Sequence, residues 1–441
     1  MKEIGIVICN YNKSKQVQEC IQSVLESQYQ DFDLYVVDNG STDDSVEVIK
    51  QKYENQLVLI ENSENLGGSG GFNTGLRKVY EKGYPFLMCI DNDALLDERA
   101  IGNLHEFLLQ HPEAGMAGAK VYHLEAPDYV QQFGQSLDFE HFCTEVPYLN
   151  AYEDGSMPEY LYVDCVAACA LMVRKSIVDE IGLMPEENFL YWDDTEWCHR
   201  CNLAGYKVAS VGNAIALHAM GAKKEVENTF PTYYAWRNWI RFFVRYTSEE
   251  RQEQLVENFL AEIFQVMYQG IHKQEENKAK TVMLAYDDAI HGVTGKAGEN
   301  RIFSLDFNEE PWRRLFETES ACYLAEDEYP ETAQRIKDIA ESLGYSVDWV
   351  REKGTTKEIQ IVDDIFQVED LSLEKIYIDV NDCILGTEDD VLNVINYNYS
   401  KRSFLFAQKP VFLQKIKELK YREQNRDKSE PIYFAWVSER L

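Results

Sequence analysis

Short apolar runs alternate with amphipathic segments along the N-terminal quarter of the chain. The apolar runs at residues 4–9, 34–38, 57–60 and 86–90 have the length of buried β-strands. Helices are predicted between them at residues 15–28, from Ser41-Thr42-Asp43 onward, and at residues 72–81. Strands and helices that alternate over short links predict an α/β fold with a mostly parallel sheet flanked by helices.

The remaining pattern predicts further elements and three domains. Up to His218 we expect a strand at 170–173, a helix from Ser176, a helix at 193–203 and a strand at 208–217. One long aromatic helix is predicted at 231–269, followed by strands at 346–350, 358–362, 375–380 and 403–407 and a helix at 331–343. The predicted domains are residues 1–228, a helical segment at 229–300, and a smaller C-terminal α/β domain at 301–441 for which the sequence indicates no role.

Composition and charge narrow the classes of function. The chain has 441 residues and a net charge of −33, which excludes extensive contact with nucleic acid phosphates. No apolar run reaches the roughly 20 residues that cross a bilayer, and the N-terminus has the pattern of a strand, not of an export signal. Ten cysteines without a second metal-binding pair indicate reduced thiols. We therefore expect a cytoplasmic protein, whose oligomeric state the sequence leaves open.

Polar side chains follow three of the predicted strands. Asn10-Tyr11-Asn12 follow the first strand, Asp38 ends the second, and Asp91-Asn92-Asp93 follow the fourth. Ligands of open parallel sheets bind beyond the carboxyl ends of the strands. We therefore expect these side chains to converge on one crevice.

Two carboxylates at the end of the fourth strand have the spacing of a metal site. Asp91 and Asp93 can hold a hard divalent cation such as Mg²⁺ or Mn²⁺, and a surface turn rich in Asp and Asn is the structural alternative. His218 ends a later predicted strand, and its imidazole is a suitable third ligand.

A glycine-rich segment precedes the helix predicted at 72–81. Asn65 is followed by Gly67, Gly68, Gly70 and Gly71, and glycine lets a backbone approach a ligand closely. The N-terminus of the next helix favours a negatively charged group. The spacing differs from that of a dinucleotide-binding fingerprint. We expect an anionic part of the ligand to bind here.

Three acids lie within four residues at the start of the helix predicted at 193–203. Asp193, Asp194 and Glu196 follow Trp192. Acids at a helix N-terminus complement its dipole, which is the structural explanation. A plain cap needs only one acid, so we favour a general base that takes a proton from an acceptor hydroxyl, with Trp192 and Glu196 contacting the acceptor.

In this order, the motifs resemble those of the family 2 glycosyltransferases, which have the GT-A fold, and in particular the rhamnosyl- and galactofuranosyl-transferase branch. The motifs that carry the resemblance lie at residues 6–12, 36–43, 65–75, 91–93, 193–200 and 218. The resemblance covers about residues 1–245 and does not extend to the C-terminal part.

The resemblance implies a role for each motif. Asp38 and the Asn10-Tyr11-Asn12 turn would bind the nucleotide, together with Asn65, Asn92 and the four glycines. Asp91, Asp93 and His218 would hold Mn²⁺ or Mg²⁺ at the diphosphate, and Asp194 would be the base of an inverting transfer. The donor would be a dTDP- or UDP-sugar, carrying rhamnose, galactofuranose or a similar sugar. The acceptor would be a hydroxyl of a cell-surface glycan or a lipid-linked molecule.

Two residues depart from the family pattern. Lys13 stands where arginine is frequent, and the acidic pair is Asp193-Asp194 where Glu-Asp is frequent, which leaves the identity of the base open within the pair. A nucleotidyltransferase and a non-catalytic sugar-nucleotide-binding module are the alternatives. A nucleotidyltransferase would need a basic glycine-rich loop after the first strand, and this sequence has none there. The intact acids argue against a non-catalytic module.

Aromatic and basic residues are interleaved in the helix predicted at 231–269. Trp236, Arg237, Trp239, Arg241, Phe242, Phe243 and Arg245 carry this pattern. Rings and arginines suit a membrane interface, whereas packing of the rings on the catalytic domain is the structural alternative. Peripheral contact with a membrane is thus a hypothesis that depends on an exposed apolar face.

Overall fold

The computed structural model of the protein describes residues 2–219, 228–326, 328–354, 357–369, 371–372 and 374–424. A large sheet with flanking helices forms the N-terminal half of this description. Its strands are β1 Ile4–Asn10, β2 Phe32–Asp38, β3 Val58–Glu61, β4 Phe86–Asp91, β5 Ala94–Leu96, β6 Ala114–His123, β7 Ala126–Gln132, β8 Ser136–Asp138, β9 Cys143–Glu145, β10 Tyr160–Val163, β11 Ala170–Arg174 and β12 Lys207–His218. Its helices are α1 Ser14–Leu25, α2 Ser45–Tyr53, α3 Gly67–Lys82, α4 Ala100–Gln110, α5 Lys175–Ile181 and α6 Asp193–Leu203.

The main sheet has the strand order β10-β12-β6-β11-β4-β1-β2-β3, with β5 beside β12 and β7 beside β6. Strands β4, β1, β2 and β3 run parallel, whereas β11 pairs antiparallel with both β4 and β6. The expected α/β fold with a parallel-rich central sheet is therefore confirmed, and its second half is mixed. Strands β8 and β9 form a separate two-stranded sheet.

Both faces of β1 are buried, which explains its continuous apolar sequence. Ile6 and Ile8 pack into the layer that contains α1, and Val7 packs into the layer that contains α3. Side chains alternate between the two faces of a strand, so a strand covered on both sides needs apolar residues at every position. This covered strand brings Asn10 to the open edge of the sheet, where the polar ends of β2 and β4 also lie.

Among the described residues, the C-terminal half contains six α-helices and a second sheet. The helices are α7 Phe230–Tyr246, α8 Gln252–Lys273, α9 Glu276–His291, α10 Glu310–Thr318, α11 Pro330–Ser342 and α12 Glu388–Gln424. The strands are β13 Ala321–Leu324, β14 Asp348–Val350, β15 Lys357–Val362, β16 Lys375–Asp379 and β17 Ile384–Leu385, in the order β14-β13-β15-β16-β17. All are parallel except β17. The predicted domain boundaries stay predictions.

Three predicted elements differ from the structure. The segment 231–269 is two helices, because Thr247 and Ser248 adopt extended backbone angles between α7 and α8. The strand predicted at 403–407 is part of α12, where Phe404 packs with α8 at helical spacing and tertiary contacts override local strand preference. Helix α2 begins at Ser45 and not at Ser41, and Asp43 accepts hydrogen bonds from the Ser45 amide at 3.1 Å and from the Ser14 amide at 3.0 Å.

Helix α7 lies inside the protein. Every one of its side chains is buried or half-buried, Arg237 and Phe243 completely so. The indole of Trp239 donates a hydrogen bond to the Phe142 carbonyl at 2.6 Å and packs on Phe259 of α8. The exposed apolar face that membrane contact through this helix required is therefore missing, and that hypothesis is corrected. Among the described residues no helix is long and apolar enough to cross a membrane.

Candidate active site

The carboxyl ends of β1, β2 and β4 carry a connected set of polar side chains. The amide of Asn92 donates to Asn10 Oδ1 at 2.8 Å, and the amide of Asn10 donates to Asp38 Oδ1 at 3.2 Å. All three are buried and form the floor of the crevice. Their predicted convergence is confirmed, because parallel strands in register end side by side. Their contact with a nucleotide stays a prediction.

The rim of the crevice is formed by two turns that hold each other. Asn12, with φ 50°, accepts a hydrogen bond from the Thr42 amide at 2.7 Å, and its own amide donates to Ser41 Oγ at 3.0 Å. Asp38 accepts the Ser41 amide at 2.9 Å. Tyr11 is exposed beside these turns. These hydrogen bonds hold the rim in one conformation. The contacts of Tyr11 and Asn12 with the nucleotide sugar stay predictions.

Asp91, Asp93 and His218 form a cluster of three potential metal ligands. One ligand atom from each lies within 4.8 Å of the others. His218 Nε2 is 3.2 Å from Asp93 Oδ1 and 3.8 Å from Asp91 Oδ2. Strand β5 begins at the residue after Asp93 and pairs with β12, which ends at His218. This pairing brings the two acids close to a histidine that is distant in sequence. Two carboxylates and an imidazole are a suitable donor set for Mn²⁺ or Mg²⁺.

Two residues that the sequence did not assign to the cluster complete its surroundings. Lys13 forms an ion pair with Asp93 Oδ2. Gln131 on β7 accepts a hydrogen bond from His218 Nδ1 at 2.9 Å and donates to the His218 carbonyl at 3.2 Å. This arrangement keeps a proton on Nδ1. Nε2, which when protonated donates to Asp93 Oδ1 at 3.2 Å, is therefore the ring nitrogen that a metal would bind. No signal in the sequence marks Gln131, since β7 joins the site only through its pairing with β6.

The pKa values in the cluster reflect burial and charge pairing. Burial raises the pKa of Asp91 to about 6, although His218 opposes the rise. Burial would also raise the pKa of Asp93, but His218 and Lys13 hold it well below its usual range. Burial would lower the pKa of His218, yet its bond to Asp93 and the charge of Asp91 raise it. The positive charges of Lys13 and His218 thus stand against the negative charges of the two carboxylates.

Asp193 and Asp194 begin α6 on the other side of the crevice. Asp194 Oδ2 accepts the Ala168 amide at 3.2 Å, and Oδ1 accepts the Thr195 amide at 2.7 Å. Burial raises the pKa of both carboxyls, and the charge of Asp194 raises that of Asp193 further. The Asp91 amide donates to the Cys169 carbonyl at 3.2 Å, one residue after the Ala168 amide that binds Asp194, so the acidic pair lies near the metal cluster. A raised pKa suits a carboxylate that must accept a proton.

The glycine-rich segment is the first turns of α3 and not a loop. Gly67 has φ +81°, and a Cβ there would lie 2.0 Å from the Phe189 carbonyl oxygen. A Cβ on Gly71 would lie 2.4 Å from Cys9 Sγ, and Gly70 is equally buried. Asn65 accepts the Gly67 amide at 2.8 Å and so shapes the start of the helix. Protein atoms thus give a packing reason for glycine at these positions, and the contacts of Gly67, Gly70 and Gly71 with a ligand stay predictions.

Gly68 lies beside the first acid of the acidic pair. A Cβ there would lie 3.4 Å from Asp193 Oδ2, an ordinary contact distance. Its role in donor binding stays a prediction, as does that of Asn65. Asn39, which the sequence did not select, organises the approach to α3: it donates to the Gly67 carbonyl at 2.9 Å and accepts the Leu66 amide at 3.2 Å.

Glu196 points away from the crevice into an ionic network. It accepts hydrogen bonds from Arg245 at 2.5 Å and from Tyr246 at 3.1 Å, and it is 4% exposed. Burial would raise its pKa, but the charges of Arg245 and Arg200 lower it to about 2. The predicted contact of Glu196 with an acceptor is therefore corrected. Trp192 is half-buried against Phe242, and its predicted contact stays a prediction.

A strained segment leads into α6 and is held from α7. Phe189, Tyr191 and Trp192 all have positive φ angles between 62° and 65°. The side-chain amide of Asn238 donates to the carbonyls of Asn188, Leu190 and Tyr191 at 2.8, 2.8 and 3.1 Å, and Arg237 also donates to Asn188 at 2.9 Å. Helix α7 is thus a scaffold that positions the acidic pair.

The N-terminal part of the chain is similar to known proteins. Residues 5–182 match the family model described as Glycosyl transferase family 2. The poly-beta-1,6-N-acetyl-D-glucosamine synthase of Staphylococcus aureus strain COL is 26% identical over 116 residues, which are 26% of this chain and 27% of that protein. The corresponding enzyme of Staphylococcus epidermidis is 26% identical over 113 residues, 25% of this chain and 27% of its own length. The chain thus matches about a quarter of the length of these relatives.

Solved structures also resemble the chain at low identity. Staphylococcus aureus TarS 1-349 has 17% identity and a TM-score of 0.44, over 66% of this chain and 81% of that one. The mannosyltransferase PcManGT from Pyrobaculum calidifontis, solved with GDP-Man and Mn²⁺, has 15% identity and a TM-score of 0.38, over 66% and 70%.

Proposed function

We propose that the protein is an inverting, metal-dependent glycosyltransferase. Residues 5–182 match the model of glycosyltransferase family 2, which supports this proposal. It transfers a sugar from a dTDP- or UDP-sugar to a hydroxyl of a cell-surface glycan or a lipid-linked acceptor. The observation that carries this proposal is the cluster of Asp91, Asp93 and His218 opposite the acidic pair Asp193-Asp194.

The metal cluster gives the site its donor end. Asp91, Asp93 and His218 would hold Mn²⁺ or Mg²⁺, and Gln131 keeps the histidine in the tautomer that ligates through Nε2. A bound divalent cation neutralises negative charge on a diphosphate leaving group. Lys13, which forms an ion pair with Asp93, adds a second positive charge at this end of the site. The buried floor of Asn10, Asp38 and Asn92 sets the depth at which the nucleotide rests.

The acidic pair gives the site its acceptor end. Asp194 takes the proton of the acceptor hydroxyl as that oxygen forms a bond to the anomeric carbon. The bond from that carbon to the diphosphate oxygen breaks in the same step, and the nucleoside diphosphate leaves with the electron pair. A single displacement of this kind inverts the anomeric carbon. The amides of Ala168 and Thr195 hold the Asp194 carboxylate in place for this step.

A screen of nucleotide sugars tests the proposal. The protein is incubated with Mn²⁺ and dTDP-rhamnose, UDP-galactofuranose, UDP-N-acetylglucosamine or GDP-mannose, and release of nucleoside diphosphate is measured. We expect turnover of one dTDP- or UDP-sugar, its loss in Asp91→Asn, and no change in Asp128→Asn, whose carboxylate is exposed elsewhere. Release of pyrophosphate from nucleoside triphosphates, with all nucleotide sugars left intact, would show a nucleotidyltransferase instead.

A further inference from the structure

Helix α12 has two apolar faces, and the described part of the chain covers one of them. Val394, Tyr397, Phe412 and Ile416 are buried against the helical segment and the second sheet. Six other large apolar side chains of the helix are exposed. Two of them are Val411 and Tyr421, and the other four are Leu392, Ile395, Tyr399 at 71% and Phe406 at 86% exposed. Single exposed apolar residues are ordinary, but a set on one element indicates an interaction surface.

These four side chains share one face of the helix. Leu392, Ile395, Tyr399 and Phe406 are separated by three, four and seven residues, which is the spacing of neighbours along one side of an α-helix. At 1.5 Å per residue the row extends for about 21 Å. We call this row the α12 face. It is long enough to bind a surface and is not a pocket for a small molecule.

Helix α12 begins with the acids Glu388, Asp389 and Asp390, but the rest of the α12 face lies in a basic part of the helix, whereas the whole protein is acidic. Between Val391 and Arg422 the helix has seven basic residues and one acid, Glu418, in a chain with a net charge of −33. Arg402 and Lys417 lie at helical spacing from Tyr399 and Phe406, are exposed, and form no ion pair with the described part of the chain. Lys409 is neutralised by Glu253 and Glu257 on α8, and Lys415 pairs with Glu418.

We propose that the α12 face docks on an anionic lipid bilayer. Aromatic and aliphatic side chains enter the interface between headgroups and acyl chains, while basic residues beside them meet lipid phosphates. A second copy of the chain fits less well, because two α12 faces would bring like charges of Arg402 and Lys417 together. Glu388 and Asp389 lie one turn before Leu392 and oppose docking at that end of the helix, so the contact centres on Tyr399 and Phe406.

The docking surface is independent of the proposed transfer reaction. It would hold the crevice near acceptors anchored in the same bilayer, but vesicle binding can be measured without donor or acceptor. Failure of docking therefore leaves the assignment of the active site untouched, and failure of the transfer assay leaves the docking surface untouched.

Co-sedimentation of the full chain with vesicles tests the proposal. Vesicles of phosphatidylcholine alone are compared with vesicles that contain phosphatidylglycerol, at low and at physiological salt. We expect sedimentation only with phosphatidylglycerol and a decrease as salt rises. The double variant Arg402→Glu/Lys417→Glu should bind roughly 20-fold more weakly. The matched control Arg99→Glu/Lys78→Glu changes the net charge equally on the N-terminal domain, at two exposed residues, and should bind as the wild type does.

A second pair of variants separates the apolar contribution. Ile395→Ser/Phe406→Ser should lose binding, whereas Leu109→Ser, which removes an exposed leucine elsewhere, should not. Circular dichroism should show an unchanged fold, since both altered side chains are exposed. Equal binding of all variants would overturn the proposal. So would a wild-type dimer that Ile395→Ser/Phe406→Ser converts to a monomer, and so would vesicle binding that begins only after removal of residues 425–441.

Discussion

Gln131 holds His218 by both its ring and its backbone. The glutamine oxygen accepts the Nδ1 proton at 2.9 Å, and the same side-chain amide donates to the His218 carbonyl at 3.2 Å. Since a backbone carbonyl can only accept, the orientation of the Gln131 amide is determined, and with it the histidine tautomer. The ring nitrogen that remains, Nε2, faces Asp91 and Asp93.

Replacement of this glutamine should weaken metal binding without removing a ligand. Gln131→Leu loses both hydrogen bonds, and we expect Mn²⁺ affinity to fall about 10–100-fold in isothermal titration calorimetry. Gln131→Glu keeps the acceptor and should retain more affinity than Gln131→Leu. Gln110→Leu, at an exposed glutamine of α4, is the control. Wild-type affinity in a folded Gln131→Leu variant would contradict a positioning role.

Transfer should depend on a divalent cation. Chelation with EDTA should abolish release of nucleoside diphosphate, and Mn²⁺ or Mg²⁺ should restore it, because Asp91, Asp93 and His218 offer a matched donor set. Asp93→Asn removes one charge from the cluster and should lower both Mn²⁺ affinity and turnover. Full turnover in chelator would exclude a metal role for this cluster.

The two acids of the pair should differ in their effect on catalysis. Asp194→Asn should lose about 10²–10⁴-fold in the rate of transfer, as expected for loss of a general base, while it still binds the donor. Donor binding is measured by calorimetry and turnover by nucleoside diphosphate release. If Asp194→Asn were active and Asp193→Asn inactive, Asp193 would be identified as the base. The raised pKa of both groups makes either chemically competent.

Activity should fall at low pH earlier than for an ordinary aspartate. A general base works only when deprotonated, and burial raises the pKa of Asp193 and Asp194 above their usual value. The acidic limb of kcat/KM at saturating Mn²⁺ should therefore lie well above pH 4, the region in which an exposed aspartate titrates. The residual activity of Asp194→Asn is the control, since a variant without the base should lack this limb. A limb near pH 4 would show that the base is not a buried carboxyl.

Two glycines of α3 should respond oppositely to alanine. Gly71→Ala places a Cβ 2.4 Å from Cys9 Sγ and should destabilise the fold by about 1–3 kcal/mol. Gly68→Ala places its Cβ at ordinary contact distance and should be neutral or stabilise by about 0.5–1 kcal/mol, because alanine favours a helix. Urea denaturation of both variants measures these changes. Equal destabilisation would contradict the packing described for Gly71.

The predictable part of the site follows from local sequence. Asn10, Asp38 and Asp91 each end a buried parallel strand, and strands paired in register must end together. His218 also ends a predicted strand, and the structure places its Nε2 3.2 Å from Asp93 Oδ1. The direction of the Glu196 side chain could not be predicted from local sequence. Its position beside the acidic pair is compatible with contact to the crevice or to Arg245, and packing against α7 determines that it contacts Arg245.

The sequence by itself determined the strands, most of the helices and the acids at the strand ends, because these depend on periodicity and on neighbours along the chain. The tertiary structure decided which polar groups support them. Gln131 reaches His218 across 87 positions, and Asn238 reaches Leu190 across 48. The same holds for the glycines of α3, which Phe189 and Cys9 require to be small. Contacts between distant residues depend on how whole elements pack, and no local pattern encodes that packing.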